Sequence, residues 1–388
     1  MATVVHVAGF SSPYGGNFIA SLAQLRKSCM EAGWDTAFLF PEVARERAWF
    51  ELLAQDGWDV RCFPTTASRM RLVPLLAQLV AQEDVCLVHT HFVDYDLPAL
   101  AARWLGMARR RSQRRIPLLW HAHSEIDALT SVACLRRVAM HAKYGVLSRG
   151  VHMIPVGRSV ARQLIAVGVS EERVHLVENG IDLCRATIAA RSTDEVLADL
   201  SLDESRRVLL MFGWKPILKG VDTALEAIAA VYARFPAVAL VIVGTDELNT
   251  YIAEQFDKDP PPWLRVVAPV EDVASLFHSA DIFLAPSRSE GFSYSVCEAM
   301  ANKLPVVLGD IPGVSWARRS PGAVFFPAGD AQALMDVLVE VLDWDEETRA
   351  KHGEANEHLA YADFNVTSWS ERMIVVYREV LARAGVGC

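Results

Sequence analysis

Glu290 and Glu298 stand with seven residues between them in PSRSEGFSYSVCEAMA, residues 286–301. Two carboxylates so placed could form an acid/base pair, half of a metal site, or two unrelated surface charges. The flanking residues narrow the choice. DIFLAPS reads as a buried strand, RSEGFS as the turn after its C-terminal end, and YSVCEAMAN as a helix for which Ser293 can serve as cap. A helix N-terminus after a glycine turn is a ready anion site, suited to a phosphate. Glu290 then lies in the loop and Glu298 about one and a half turns into the helix, at a different depth of the same pocket. Each could hold sugar hydroxyls beside the phosphate. The plainer reading makes Glu290 a solvated loop residue and Glu298 a solvent-facing helix residue; the apolar neighbours of Glu298 speak against the latter.

Other groups carry chemistry too. MFGWKPILKGVD follows another apolar strand, and Lys215 and Lys219 open the next helix, where a lysine can neutralise a diphosphate as a point charge. Gly15 and Gly16 in SSPYGGN let a backbone approach a ligand closely. His89 and His91 in VHTHF, and His121 and His123 in WHAHS, put paired rings on one face of a strand. Zinc therefore has to be weighed, but no third ligand stands out, and a histidine facing a cleft as donor or proton carrier is the favoured reading. Arg109, Arg110, Arg111, Arg114 and Arg115 form the run RRRSQRR. It reads as a solvated loop or as a contact for an anionic membrane surface, at about 1 kcal/mol per basic residue.

These residues need elements to position them. Short β-branched runs alternate with amphipathic segments throughout, seven strand candidates in the first half and six in the second, from TVVHVAG to AVFFPAG. Near-continuous apolar strands between helices mean parallel sheets covered on both faces. Thirteen strands are too many for one tidy sheet, so two doubly wound domains are expected, binding ligands at their strand ends with a cleft between. The expected boundaries are 1–183, 184–364 and a terminal helix at 365–388. Charge divides similarly: residues 1–183 hold 20 Lys+Arg against 17 Asp+Glu, and residues 184–388 hold 18 against 30. The overall charge of -9 and the lack of a nucleic-acid motif argue against a nucleic-acid partner. Seven scattered cysteines without a C-x-x-C pair, no long apolar run and no basic leader point to a reducing cytoplasm.

PSRSEGFSYSVCEAMANKLPVV, GWKPILKGVD, VENGID and the N-terminal glycine turn, in that setting, together resemble the retaining glycosyltransferases of family 4. The resemblance runs through nearly the whole chain. It implies the GT-B fold, with two Rossmann-like domains facing a central cleft and a terminal helix crossing back to the N-terminal domain. It also implies a nucleotide-sugar donor, held mainly by the C-terminal domain, and an acceptor held mainly by the N-terminal one. No metal or other cofactor is implied, because lysines and helix dipoles support the diphosphate. By resemblance, Glu298 holds the ribose hydroxyls and Glu290 the donor-sugar hydroxyls. The backbone of Gly291, Phe292 and Ser293 meets sugar and phosphates, Lys219 meets the diphosphate, Gly16 beside Gly15 is the loop glycine, and His123 ends the family's strand motif. Catalytic roles fall to Glu290, His123 and Lys219.

Three positions depart from the family pattern. Trp214 stands where an arginine is usual, with Lys215 next to it but without arginine's bidentate fork. Lys303 replaces a glycine after EAMA, where a left-handed residue would be strained, and Trp316 replaces an acidic residue. The expected activity is retaining transfer of a hexose-type sugar, UDP-linked, to an acceptor hydroxyl of a glycan, lipid or small molecule. The expected location is cytoplasmic, at the inner membrane face through Arg109–Arg115. The competing reading is a catalytically silent nucleotide-sugar-binding subunit of a glycosylation complex. A nicotinamide dehydrogenase lacks support, since no G-x-G-x-x-G follows either first strand.

Overall fold

The computed structural model describes residues 1–64, 69–111, 115–126 and 138–385. The chain divides into two compact units, Met1–Asn179 with Val366–Cys388, and Gly180–Asn365. In the first unit, β1 (Ala2–Ala8), β2 (Trp34–Pro41), β3 (Asp59–Phe63), β4 (Val85–His91), β5 (Leu118–Ala122) and β6 (Val151–Pro155) form a parallel sheet in the order β3-β2-β1-β4-β5-β6. In the second, β7 (Arg207–Phe212), β8 (Val238–Val243), β9 (Leu264–Val267), β10 (Ile282–Ala285), β11 (Val306–Gly309) and β12 (Ala323–Phe326) form another, in the order β12-β11-β10-β7-β8-β9. The apolar runs are buried as parallel packing requires; β8 is buried at every residue.

Twelve strands, not thirteen, are present among the described residues. RVHLV, residues 173–177, runs beside β6 through a single bridge, Met153 to Val174, and two backbone bonds, His175 N–H to Met153 O and Val177 N–H to Pro155 O. Arg173, which donates to the Ser148 and Val151 carbonyls, anchors its start instead.

Each strand order reverses direction once, between β1 and β4 and between β7 and β10. Loops leaving neighbouring strands there go to opposite faces and open a crevice at the carboxyl ends. The loops carrying Gly15, His123, Lys219 and Glu290 all leave strands at or beside these two places.

The division between units falls at Asn179, slightly ahead of the expected boundary at 183. Ile181 N–H donates to Phe364 O at 2.7 Å, which ties the chain from this point to the second unit. The terminal helix, Val366–Arg383, belongs to the first unit. Its buried residues recur at helical spacing, and Trp369, Met373, Tyr377 and Leu381 pack with Val4, Leu25, Trp34, Leu87 and Leu119. Burying an apolar side chain of that size is worth roughly 1.5–3 kcal/mol. Among the described residues no helix is long and apolar enough to cross a membrane.

In the second unit, Asn356 is fully buried on helix Glu346–Asp363. Its Nδ2 donates to Leu304 O at 2.7 Å and Gly322 O at 3.1 Å, and its Oδ1 accepts from Ser320 Oγ at 2.6 Å. These bonds join the helix to the segments before β11 and β12. Lys303 lies beside them at φ +61, the left-handed place where the family favours glycine. Asn356→Ala removes the side-chain donor to Leu304 O, one of the two donors to Gly322 O and the acceptor of Ser320 Oγ, and is expected to destabilise this unit by about 2–4 kcal/mol. Scanning calorimetry of the full chain checks this; an unshifted transition would show that the three bonds contribute nothing.

Candidate active site

In the second unit, segment 213–220 leaves β7 and turn 286–290 leaves β10, on either side of the order reversal. They are pressed together closely. A Cβ on Gly220, whose φ is +70, would meet Pro286 O at 2.1 Å, and one on Gly313 would meet Glu290 O at 1.8 Å. Only glycine permits these approaches. Arg288 secures the contact by donating to both Asp222 carboxylate oxygens at 2.7 Å, while its backbone N–H donates to Leu218 O.

The packing brings Lys219 to Glu290. Lys219 Nζ lies 2.5 Å from Glu290 Oε1, which also accepts from Ser287 Oγ at 3.0 Å. Both side chains are largely shielded, 18% and 13% exposed. Lys215 does not join them: it is exposed beside Trp214, and its carbonyl accepts the Lys219 N–H.

Glu298 lies deeper, 5% exposed on helix Tyr294–Ala301. An ionised carboxylate at that depth needs a partner. Arg185 supplies it, donating from Nη1 to Glu298 Oε1 at 2.7 Å. Asp182 of VENGID caps the short helix Leu183–Thr187 by accepting from Arg185 N–H, and Asn302 Nδ2 donates to Ala186 O. Arg185 escaped the sequence reading because it lies 113 residues from its partner, with no local pattern linking them.

The expected Ser293 cap is not formed. Ser293 occupies the N-cap place, but its Oγ lies 3.2 Å from Ser295 Oγ and accepts no backbone N–H. The helix N–H groups therefore do not depend on that side chain. Gly291 and Phe292 are buried beside it, and the Phe292 ring stacks on Trp316 at 5.3 Å and packs on Phe364 at 5.5 Å. This explains the tryptophan at 316: it fills an aromatic cluster, its Nε1 donating to Gly313 O beneath Glu290.

In the first unit, Gly16 begins helix Gly16–Glu31 at φ +54 with open space where a Cβ would stand, and Gly15 is buried against Ile19 and Trp49. Strand register sets His6 beside His89 and His91 beside His121. With His123 they form a stack of rings, closest for His121 and His123 at 4.0 Å and for His89 and His91 at 4.1 Å. His89 Nδ1 meets Tyr377 Oη of the terminal helix at 2.7 Å, and His6 Nδ1 meets His91 Nε2 at 3.3 Å. Phe92, at φ +72 directly after β4, packs on His123 at 4.7 Å. Sequence reasoning found four of these histidines and missed His6, although its place on the neighbouring strand was a usable signal.

Burial pushes His6 and His123 down to about 3. His89, His91 and His121 fall well below the usual imidazole range, through burial first and neighbouring imidazoles second. His123 is therefore neutral near pH 7. It can donate or accept a hydrogen bond in that state. The basic run needs correction. The Arg110 side chain is 3% exposed and donates to the Val80, Gln82, Val85 and Glu83 carbonyls, so its guanidinium is used within the first unit. Arg109, Arg111 and Arg115 are exposed; Arg114 lies outside the described residues.

Two parallel sheets, each with one reversal of strand order and charged loops at its strand ends, define a doubly wound α/β class. Residues 21–185 match the family model described as Glycosyltransferase Family 4, and residues 206–343 match Glycosyl transferases group 1. The chain is 30% identical over 279 residues to a GDP-mannose:cellobiosyl-diphosphopolyprenol alpha-mannosyltransferase of Xanthomonas campestris, covering 70% of this chain and 67% of the relative. It is 27% identical over 362 residues to a D-inositol 3-phosphate glycosyltransferase of Nocardia farcinica, covering 86% and 76%. The crystal structure of Anabaena HepE with UDP and glucose superposes with a TM-score of 0.80 at 16% identity, covering 98% of this chain and 100% of that one. The chain belongs to glycosyltransferase family 4 and has the GT-B fold. It is a glycosyltransferase using a nucleotide-sugar donor.

The histidine cluster generates a pH prediction. Unfolded imidazoles take up protons below about 6.5, whereas the buried ones stay neutral to much lower pH. The unfolded state then binds more protons, so stability is full above about 6.5 and is lost progressively as pH falls below it. Urea unfolding of the chelator-treated chain between pH 7 and 5 should show this loss, with a shallower slope for His6→Phe. Equal stability at both pH values would contradict it.

Proposed function

We propose that the chain transfers a hexose-type sugar from a UDP-linked donor to an acceptor hydroxyl, with retention at the reacting carbon and without a metal ion. The observation that carries this reading is the shielded Lys219–Glu290 pair at the β7/β10 reversal, with Glu298 held by Arg185 deeper in the same unit. An ammonium has three donors, so Lys219 can keep Glu290 and still bind a diphosphate oxygen. Its charge then opposes the negative charge that develops as the sugar–phosphate bond breaks. A carboxylate at Glu290, oriented by Lys219 and Ser287, accepts from donor-sugar hydroxyls near the reacting carbon. Glu298, fixed by Arg185, accepts from the ribose hydroxyls, and the Gly291–Ser293 backbone meets the sugar and phosphates. Preorganised charges of this kind do not have to reorient during the reaction, which is why they lower the barrier.

Lys215 is assigned a lesser role toward the donor, since it is exposed. Gly15 and Gly16 offer backbone to a ligand, and His123 acts as a neutral hydrogen-bonding group. Polysaccharide, glycolipid or decorated small-molecule synthesis suits the acceptor; the relatives named above act on an inositol phosphate and on a polyprenol-diphosphate-linked sugar. The base is assigned as uracil because the superposed HepE structure holds UDP. A cytoplasmic, peripheral position at the membrane is assigned to Arg109, Arg111 and Arg115, next to exposed Trp104 and Leu105 of helix Asp96–Met107.

Lys219→Ala is expected to raise the Kd for UDP-sugar by roughly tenfold or more in calorimetry, the loss of a charge-assisted contact. Unchanged binding would remove Lys219 from the role. Turnover in excess chelator is expected to match the untreated enzyme; loss restored by Mg²⁺ would refute the metal-free mechanism. For the membrane contact, the double variant Arg109→Glu/Arg111→Glu should reduce co-sedimentation with anionic vesicles, and equal sedimentation would end that assignment.

A further inference from the structure

The cluster of imidazoles in the first unit has more nitrogen lone pairs than the fold uses. His91 Nδ1, both nitrogens of His121 and His123 Nε2 are buried without a hydrogen-bond partner. His91 and His121 are each 1% exposed. One nitrogen from each of His91, His121 and His123 lies within 4.8 Å of the others. We propose that His91, His121 and His123, backed by His6, form a binding site for a borderline divalent transition-metal ion, with Zn²⁺ as the fitting probe.

Coordination chemistry favours this triad over its neighbour. Tetrahedral Zn²⁺ with bonds of about 2.1 Å places ligand nitrogens about 3.4 Å apart, a modest contraction from the present spacing. The alternative group, His6, His89 and His91, also lies within 4.8 Å and also keeps one unpartnered nitrogen per ring, but two of its rings are tied at the other nitrogen, His89 Nδ1 to Tyr377 Oη and His6 Nδ1 to His91 Nε2, whereas both nitrogens of His121 are unspent. That last contact serves the proposed site. With the proton on His91 Nε2 donated to His6 Nδ1, the Nδ1 lone pair of His91 is free for an ion and the ring is held in place. His123 is only half-buried and provides the entry path. The imidazoles are already neutral near pH 7, so ligation displaces no proton. Three-histidine sites keep a fourth position for water. The ion would clamp the ends of β4 and β5 within the first unit, and the inference does not rest on the proposed reaction. Loss of turnover on zinc binding would follow only if His123 also has the role assigned above.

The test uses the full chain, freed of any affinity-tag histidines and stripped with chelator. Calorimetry with Zn²⁺ should show one ion per chain, Co²⁺ should give the visible absorption of tetrahedral nitrogen coordination, and the thermal midpoint should rise with added Zn²⁺. His121→Ala and His123→Ala should each weaken binding by roughly tenfold or more. His152→Ala/His175→Ala removes a separate pair, with ring nitrogens 2.9 Å apart, and should leave binding unchanged. The half-buried His123 variant and the wild-type cobalt spectrum decide the matter even if His121→Ala fails to fold. No stoichiometric binding by the wild type, equal binding by His123→Ala, or loss confined to the His152/His175 variant would overturn the proposal.

Discussion

The turn 286–290 is laid against three glycines from other parts of the second unit. Gly220 faces the Pro286 carbonyl, Gly309 the Ser287 carbonyl and Gly313 the Glu290 carbonyl, at separations that no Cβ could share. Backbone-to-backbone packing of this kind fixes a loop far more tightly than side-chain contacts, which can change rotamer. Lys219 follows because Gly220 anchors the segment that carries it. Trp316 follows because it packs beside Gly313. The position of the Glu290 carboxylate is therefore a consequence of steric exclusion before it is one of electrostatics.

Both units pair buried charges, Lys143 with Asp96 in the first and Lys219 with Glu290 and Arg185 with Glu298 in the second. Removing one partner of a shielded pair leaves the other charge uncompensated, so these residues are coupled in function as well as in stability. The first unit also buries five imidazoles, which desolvation keeps neutral, with repulsion between rings adding to it for His89, His91 and His121. Paired charges are suited to binding a charged diphosphate. Neutral imidazoles with unspent lone pairs are suited to hydrogen bonds and metal ions.

Most of the architecture was legible in the sequence. The strand candidates read from the sequence cover all twelve strands and one segment more, because parallel strands buried on both faces are largely apolar. RVHLV fails for a reason the run itself does not show: it lies outside the sheet edge, with two backbone bonds and no ladder. Glu290, Glu298 and Lys219 were legible because each lies in a local strand–turn–helix pattern. Arg185, which pairs with Glu298, was not. Neither was the internal use of Arg110, whose guanidinium binds carbonyls around residues 80–85 and so leaves the surface of the basic run.

By itself the sequence determined the periodicities, the glycine turns and the loops after β7 and β10, since these depend on neighbours within about one turn or one strand. The tertiary structure decided which groups meet. It joined Lys219 to Glu290 across 71 residues, Arg185 to Glu298 across 113 and Tyr377 to His89 across 288. It also decided charge state, because the neutrality of His123 comes from burial by residues on other strands and helices. Local patterns follow from short-range sterics and hydrophobic spacing; partnership and protonation follow from desolvation, which exists only once the chain has closed around the group.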